Sequence, residues 1–153
     1  MEIKWSMPPI EKIYEAYSAI ADDRIKIDEN LAIVESSDYA KKYIVSWAGD
    51  KYISNDNASY WQGYYGYPVI AVLMLQDRLE YDNAVCKLFS KINWKNINKQ
   101  YNNKYSKAVE FILTRFEDDG IVLSKIKTDV ERIYEQLSTL RLNWVKSSTR
   151  PPS

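Results

Sequence analysis

Residues 54–73 read SNDNASYWQGYYGYPVIAVL, and this stretch leads from predicted strands into a long apolar segment. It gathers five large aromatic residues around two glycines: Tyr60, Trp61, Tyr64, Tyr65 and Tyr67, with Gly63 and Gly66. A packed core does not require five such rings in one loop. Rigid amphipathic rings do give a recognition surface a large contact area at low entropic cost. The stretch therefore favours a binding function.

The residues before this stretch predict one helix and a small sheet. Apolar residues at helical spacing from Ile10 to Ile20 indicate an N-terminal helix that ends near Asp22 and Asp23. Short alternating or β-branched runs follow, separated by turn residues, at 24–27, 31–35, 43–47 and 51–54. Such runs are typical of an antiparallel meander of three or four strands.

The residues after the stretch predict a helical half of about four helices. Their approximate limits are 68–79, 82–92, 105–120 and 124–140, with Pro68 in a first turn and Asp82 and Ser124 as caps. The predicted class is therefore α+β. We expect one domain over residues 1–146, followed by a disordered tail at 147–153.

Composition removes several kinds of chemistry. The chain has no histidine and one cysteine, Cys86, so histidine-activated nucleophiles, imidazole metal sites and an internal disulfide are excluded. Cys86 falls in a helical apolar pattern and is expected to be a buried thiol. Asp56, acting with tyrosine or lysine groups, is the remaining alternative for a small enzyme, but no positioned acid-base partner is evident. The preferred interpretation is a non-catalytic protein without a cofactor.

Charge and hydropathy predict a cytoplasmic protein that does not enter a membrane. The net charge is zero, and the longest apolar run, at 69–75, is too short to span a bilayer. Residues 1–7 lack the basic and apolar regions of a signal peptide.

Four lysines recur at intervals of four residues: Lys87, Lys91, Lys95 and Lys99. On one continuous helix they would form a slanting stripe, interleaved with asparagine and aromatic side chains. Lysines neutralise phosphates, so this stripe is the basis of an alternative function in nucleic-acid binding. The plainer interpretation is a solvated helix face.

The spacing within 54–73 resembles the SWIM domain. That family has the pattern Cys-x-Cys, a variable loop, Cys-x-His, and then a helix with alanine three residues after the histidine. Aligning that alanine with Ala71 places Gly66-Tyr67-Pro68 at the second motif and Ser54-Asn55-Asp56 at the first. The four ligand positions hold Ser54, Asp56, Gly66 and Pro68, so the resemblance is to a metal-free relative without zinc. The chain also resembles small archaeal proteins that have no assigned role.

The resemblance implies DNA binding or protein contact rather than catalysis. Without zinc, the side chains of Ser54, Asp56 and Asn57 are expected to bond nearby backbone groups. The aromatic residues then either form an internal core for the loop or present a binding surface. A mixed arrangement is expected, in which Trp61 belongs to the internal core and Tyr64 or Tyr65 is exposed for binding.

We therefore predict a binding module, with a protein partner or a second copy of the chain ranked above nucleic acid. The predicted binding residues are Asn55, Asp56, Asn57, Tyr60, Trp61, Tyr64, Tyr65 and Tyr67.

Overall fold

The computed structural model describes residues 2–153, and it has the predicted α+β class. Met1, the first residue of the predicted domain, lies outside the described residues. Six strands form one mixed sheet: β1 (Ile3–Lys4), β2 (Ile25–Ile27), β3 (Leu31–Glu35), β4 (Lys42–Ala48), β5 (Lys51–Ser54) and β6 (Asn143–Trp144). Six α-helices accompany it: α1 (Lys12–Ala21), α2 (Tyr67–Leu75), α3 (Asn83–Lys87), α4 (Trp94–Gln100), α5 (Tyr105–Asp118) and α6 (Leu123–Leu140).

The predicted meander is confirmed, and it forms most of the sheet. Strands β2 to β5 pair in sequence order, each antiparallel to the next. Inward side chains alternate along β3, where Ala32 and Val34 are fully buried, as the period of two requires. The complete order is β1-β6-β5-β4-β3-β2, and β6 lies parallel to β5. The two outer additions, β1 and β6, were not predicted.

Helices α1 and α2 pack against each other at the centre of the molecule, and α2 also packs on β4. The side chains of 68–74 in α2 are all buried, which explains why this segment is apolar on every side. Helix α1 ends at Ala21 with Asp22 as its C-cap, which agrees with the predicted end near Asp22 and Asp23. Cys86 is buried as expected, and its Sγ lies 3.4 Å from the backbone oxygen of Tyr17 in α1.

Three helix predictions in the C-terminal half require correction. The helix expected over 68–79 ends at Leu75. The helix expected over 82–92 ends at Lys87, although Asp82 does cap it by accepting from the amides of Ala84 and Val85. Lys91 then adopts a left-handed conformation with φ of 62°, and a separate helix, α4, follows. A left-handed residue cannot continue an α-helix. Ser124 is not a cap, because α6 begins one residue earlier and Val122 occupies the capping position.

Residues 147–153, expected to be a disordered tail, follow an irregular path. Asn55 Nδ2 donates to the backbone oxygen of Arg150 at 3.3 Å, so this part of the chain lies against residues 55–67, which we call the aromatic loop. Over residues 2–153, no helix combines the length and the apolar character needed to cross a membrane.

Candidate functional site

The aromatic loop folds around a single turn of π-helix at Ala58–Gln62, which Gly63 ends in a left-handed conformation with φ of 68°. Trp61 lies on this turn and is 61% exposed, whereas Tyr65 beyond the glycine is 1% exposed. Tyr65 stacks on Trp5, with 5.0 Å between the ring centres. The mixed expectation is therefore wrong for Trp61, which lies at the surface. Of the two tyrosines named as alternatives in it, Tyr65 is internal and Tyr64 is half-buried.

The carboxylate of Asp56 holds the base of the loop. It is buried and accepts from the hydroxyls of Ser54 and Ser59, each at 2.6 Å, and from the amide of Ser59 at 3.1 Å. The amide of Gly66 in turn donates to Ser59 Oγ at 3.4 Å. The prediction that Asp56 bonds a nearby backbone group is confirmed. Ser54, Asp56 and Gly66 thus meet in one buried hydrogen-bonded cluster.

A cleft opens between this loop, the start of α1, strand β4 and the start of α5. We call it the tyrosine cleft. It consists of two adjoining regions, of about 330 Å³ and about 200 Å³. Both regions are lined by Lys12, Tyr43, Asn57, Tyr67 and Tyr105. The larger region adds Asp56, Ala58, Trp61, Gln62 and Tyr64.

A buried ion pair forms one wall of the tyrosine cleft. Lys12 Nζ lies 3.2 Å from Oε2 of Glu15, one turn further along α1, and 3.9 Å from the centre of the Tyr105 ring. Burial by itself lowers the pKa of the Lys12 ammonium. The Glu15 carboxylate, Tyr105 and Tyr64 outweigh it, so the pKa lies above the ordinary lysine value. Lys12 is therefore a fixed positive charge and not a free amine nucleophile.

Four tyrosines line the cleft with hydroxyls that bond no protein group within residues 2–153: Tyr43, Tyr64, Tyr67 and Tyr105. The tyrosine hydroxyls that do donate to the protein are those of Tyr17, Tyr52 and Tyr134, all outside the cleft. Burial raises the pKa of Tyr43, Tyr64 and Tyr67, so these phenols stay protonated at neutral pH and can donate.

Several predicted site residues meet in the cleft: Asp56, Asn57, Trp61, Tyr64 and Tyr67. The others do not line it. Asn55 is buried and accepts from the amide of Ile44, which ties the loop to β4. Tyr65 belongs to the core. Tyr60 packs edge-on against Trp61 outside the cleft.

Sequence reasoning missed Lys12, Glu15, Tyr43 and Tyr105. One signal was present for the first two: they lie on the predicted N-terminal helix at a spacing of three, which places them on the same side of it. Tyr43 and Tyr105 carried no such signal, because only the tertiary fold brings β4 and α5 to α1.

The four stripe lysines are all exposed, but they do not lie on one helix. Lys87 ends α3, Lys91 lies in the connection, and Lys95 and Lys99 belong to α4. Lys95 forms an ion pair with Asp38 at 3.1 Å and lines the smaller region of the cleft. The continuous stripe expected from the spacing is therefore absent.

Within residues 2–153, the carboxylates and the thiol form no group of three or more that could hold a metal ion.

Comparisons with known proteins place the chain in a family. No curated protein and no solved structure matches it. A family model described as "Uncharacterised conserved protein UCP014422" matches residues 5–143, a range that includes the whole tyrosine cleft. The chain therefore belongs to that family.

Proposed function

We propose that this protein is a non-catalytic binding module that holds a small polar organic molecule in the tyrosine cleft. The observation that supports this function is the set of four tyrosine hydroxyls without a protein partner, arranged around the charged Lys12. Groups of this kind fix a ligand by hydrogen bonds, because each unpaired donor gains a partner on binding.

The walls of the cleft suit a flat ligand. Tyr43 and Tyr67 meet edge to face, with 6.4 Å between ring centres, and Tyr105 is held in place by the ammonium of Lys12. Aromatic faces bind planar groups by stacking or edge contact, at little cost in side-chain entropy. The larger region, at about 330 Å³, is within the size range of small-molecule pockets.

The same groups argue against catalysis. Lys12 stays protonated, so it cannot attack a carbonyl as a free amine. Asp56 lines the cleft, but its carboxylate already accepts from two hydroxyls and an amide. A general base needs an oxygen free to take the proton of the substrate.

The proposal can be tested by screening small polar aromatic compounds for thermal stabilisation and mapping hits by protein-observed NMR. Hits should shift the signals of the loop 55–67 and of the start of α1. Tyr67→Phe and Tyr105→Phe should each weaken binding about 2- to 10-fold, as loss of one neutral hydrogen bond does. Tyr81→Phe is the matched control, because Tyr81 is half-buried and lines neither region. Equal losses in the control and the cleft variants would contradict the assignment.

A second function is supported by a different observation, the exposed Trp61 at the edge of the cleft and its half-buried neighbour Tyr60. Trp61 and Tyr60 lie 4.6 Å apart by ring centres, and the ammonium of Lys146 lies 4.6 Å from Tyr60 and 5.3 Å from Trp61. An exposed tryptophan with a neighbouring cation is a common anchor in protein contacts. We propose this patch as the place of a protein or self-contact. Analytical ultracentrifugation of the protein and of Trp61→Ala tests the self-contact. If the substitution leaves self-association unchanged, two copies of the chain do not meet through this patch.

A further inference from the structure

The smaller region of the tyrosine cleft collects positive charge. Four cationic side chains line it, against one carboxylate, that of Glu15; the cations are Lys12, Arg24, Lys41 and Lys95. Three of the four have a carboxylate nearby: Glu15 for Lys12, Asp22 for Arg24 and Asp38 for Lys95. Lys41 forms no ion pair within the described chain. The region as a whole therefore favours an anion.

Arg24 is the most buried of these cations. Its side chain is 1% exposed, and its Nη1 donates to the backbone oxygen of Glu35 at 2.7 Å. Its Nε has no hydrogen-bond partner within residues 2–153. The nearest carboxylate oxygen, Asp22 Oδ2, is 3.9 Å away, and Oδ1 of the same group accepts from the amide of Lys91. A buried guanidinium donor without a partner costs free energy, and an oxyanion would supply that partner.

Neutral groups around Arg24 also suit an oxyanion. Hydroxyl and amide side chains also line this region: Ser36, Ser37, Asn57, Asn98 and Asn103. Such groups commonly bond phosphate oxygens alongside arginine and lysine. The tyrosines shared with the larger region lie directly beside them. A molecule with a ring and an anionic group could therefore contact both regions at once.

We propose that the smaller region binds the carboxylate or phosphate group of a small organic anion, through Arg24 and Lys41, while the ring of that molecule lies against the tyrosines. This inference rests on the proposed function, because it names the class of ligand for the same cleft.

The experiment compares three probes of similar ring size, namely benzoate, phenyl phosphate and the neutral benzamide, by NMR titration of the full chain. At least one of the anions should bind about tenfold tighter than benzamide, a difference of about 1.4 kcal/mol. Inorganic phosphate, which has no ring, should bind more weakly than phenyl phosphate. A preference between benzoate and phenyl phosphate identifies which oxyanion the region takes.

Arg24→Gln should reduce the advantage of the anions over benzamide to less than about threefold. Lys26→Gln removes an exposed cation on β2 that does not line the cleft, and it should keep the full advantage. If Arg24→Gln does not fold, Lys41→Gln and Arg24→Lys replace it. Loss of the half-buried Lys41 should weaken anion binding several-fold, and Arg24→Lys should retain part of the preference.

The outcomes separate the two proposals. Benzamide binding as tightly as both anions would overturn the anion assignment and leave the proposed function standing. An anion preference that survives Arg24→Gln and Lys41→Gln unchanged would also overturn it. If none of the probes binds, both the anion assignment and the proposed ligand-binding function of the cleft are contradicted.

Discussion

Gly66 and Asp56 are so close that a Cβ atom on Gly66 would lie 2.0 Å from Oδ2 of Asp56. The backbone of Gly66 has a φ of −74°, which any residue can adopt, so space and not conformation requires glycine here. The carboxylate cannot easily move aside, because two serine hydroxyls and an amide hold it. The loop and the start of α2 are thus joined by direct contact.

Gly66→Ala should therefore destabilise the protein by about 1–3 kcal/mol, the usual cost of overpacking, or by more if the carboxylate stays in place. Urea unfolding measures the change. The double variant with Asp56→Ala gives the control, because removing the carboxylate removes the clash. Strict additivity of the two single losses would contradict this account.

Tyr65 and Trp61 should respond in opposite ways to truncation. Tyr65→Ala removes a buried ring stacked on Trp5 and should cost about 3–5 kcal/mol, as aromatic deletions in cores do. Trp61→Ala changes an exposed side chain and should stay within about 0.5 kcal/mol. Thermal or urea unfolding of the two variants side by side decides the matter. Similar losses in both would mean that Trp61 is structural after all.

The ion pair of Lys12 and Glu15 should be strongly coupled. Lys12→Met leaves a buried carboxylate without its cation, and breaking a buried pair in this way costs about 3–5 kcal/mol. Lys12→Met combined with Glu15→Leu should recover most of that loss, because both charges are then gone. The four free energies of unfolding from urea titration form the test. If the losses of the two single variants simply add up to that of the double variant, the charges are independent and the coupling is contradicted.

Stability should fall at alkaline pH. Burial raises the pKa of Tyr14 and Tyr65 to about 12, from 10.0, and that of Cys86 to about 12, from 9.0. The folded protein therefore holds these protons in a range where the unfolded chain has released them. The free energy of unfolding is then unaffected by these groups below about pH 9 and decreases from there through pH 12. Each group contributes about 1.4 kcal/mol per pH unit between its unfolded and its folded pKa.

Unfolding monitored by circular dichroism and by tyrosinate absorbance from pH 8 upward checks this, since ionisation of the buried tyrosines should accompany unfolding. Tyr65→Phe is the matched control, because it keeps the ring and removes one titrating group. The variant should lose less stability per pH unit than the parent protein. Identical slopes would contradict a contribution from Tyr65.

Local patterns were sufficient for the meander and for most helices. The alternation along 31–35 and the turn residues between runs depend on neighbours in sequence, so they are visible without a fold. The break at Lys91 was not visible, because lysine carries no signal for a left-handed conformation. Strand β6 has two residues, too few to show any period.

The candidate site was predictable only in part. The loop residues that line the cleft stood out by composition, and Asn57, Tyr64 and Tyr67 are among them. Their partners come from helices and a strand far away in sequence, and no spacing rule connects Tyr43 to Tyr105. The charge of the smaller region also arises only when α1, α4 and the residues directly before β2 and β4 come together.

The position of β6 between β1 and β5 has a consequence for how the chain acquires its structure. Residues 3–4 pair with 143–144, and Trp5 donates its amide to Leu142, so the first strand finds its neighbour only among residues synthesised about 140 positions later. The meander and α1 can assemble earlier on a ribosome, from contacts close in sequence. The pairing of β1 with β6 can form only after nearly the entire chain has emerged from the ribosome. This late step should therefore limit the rate of folding.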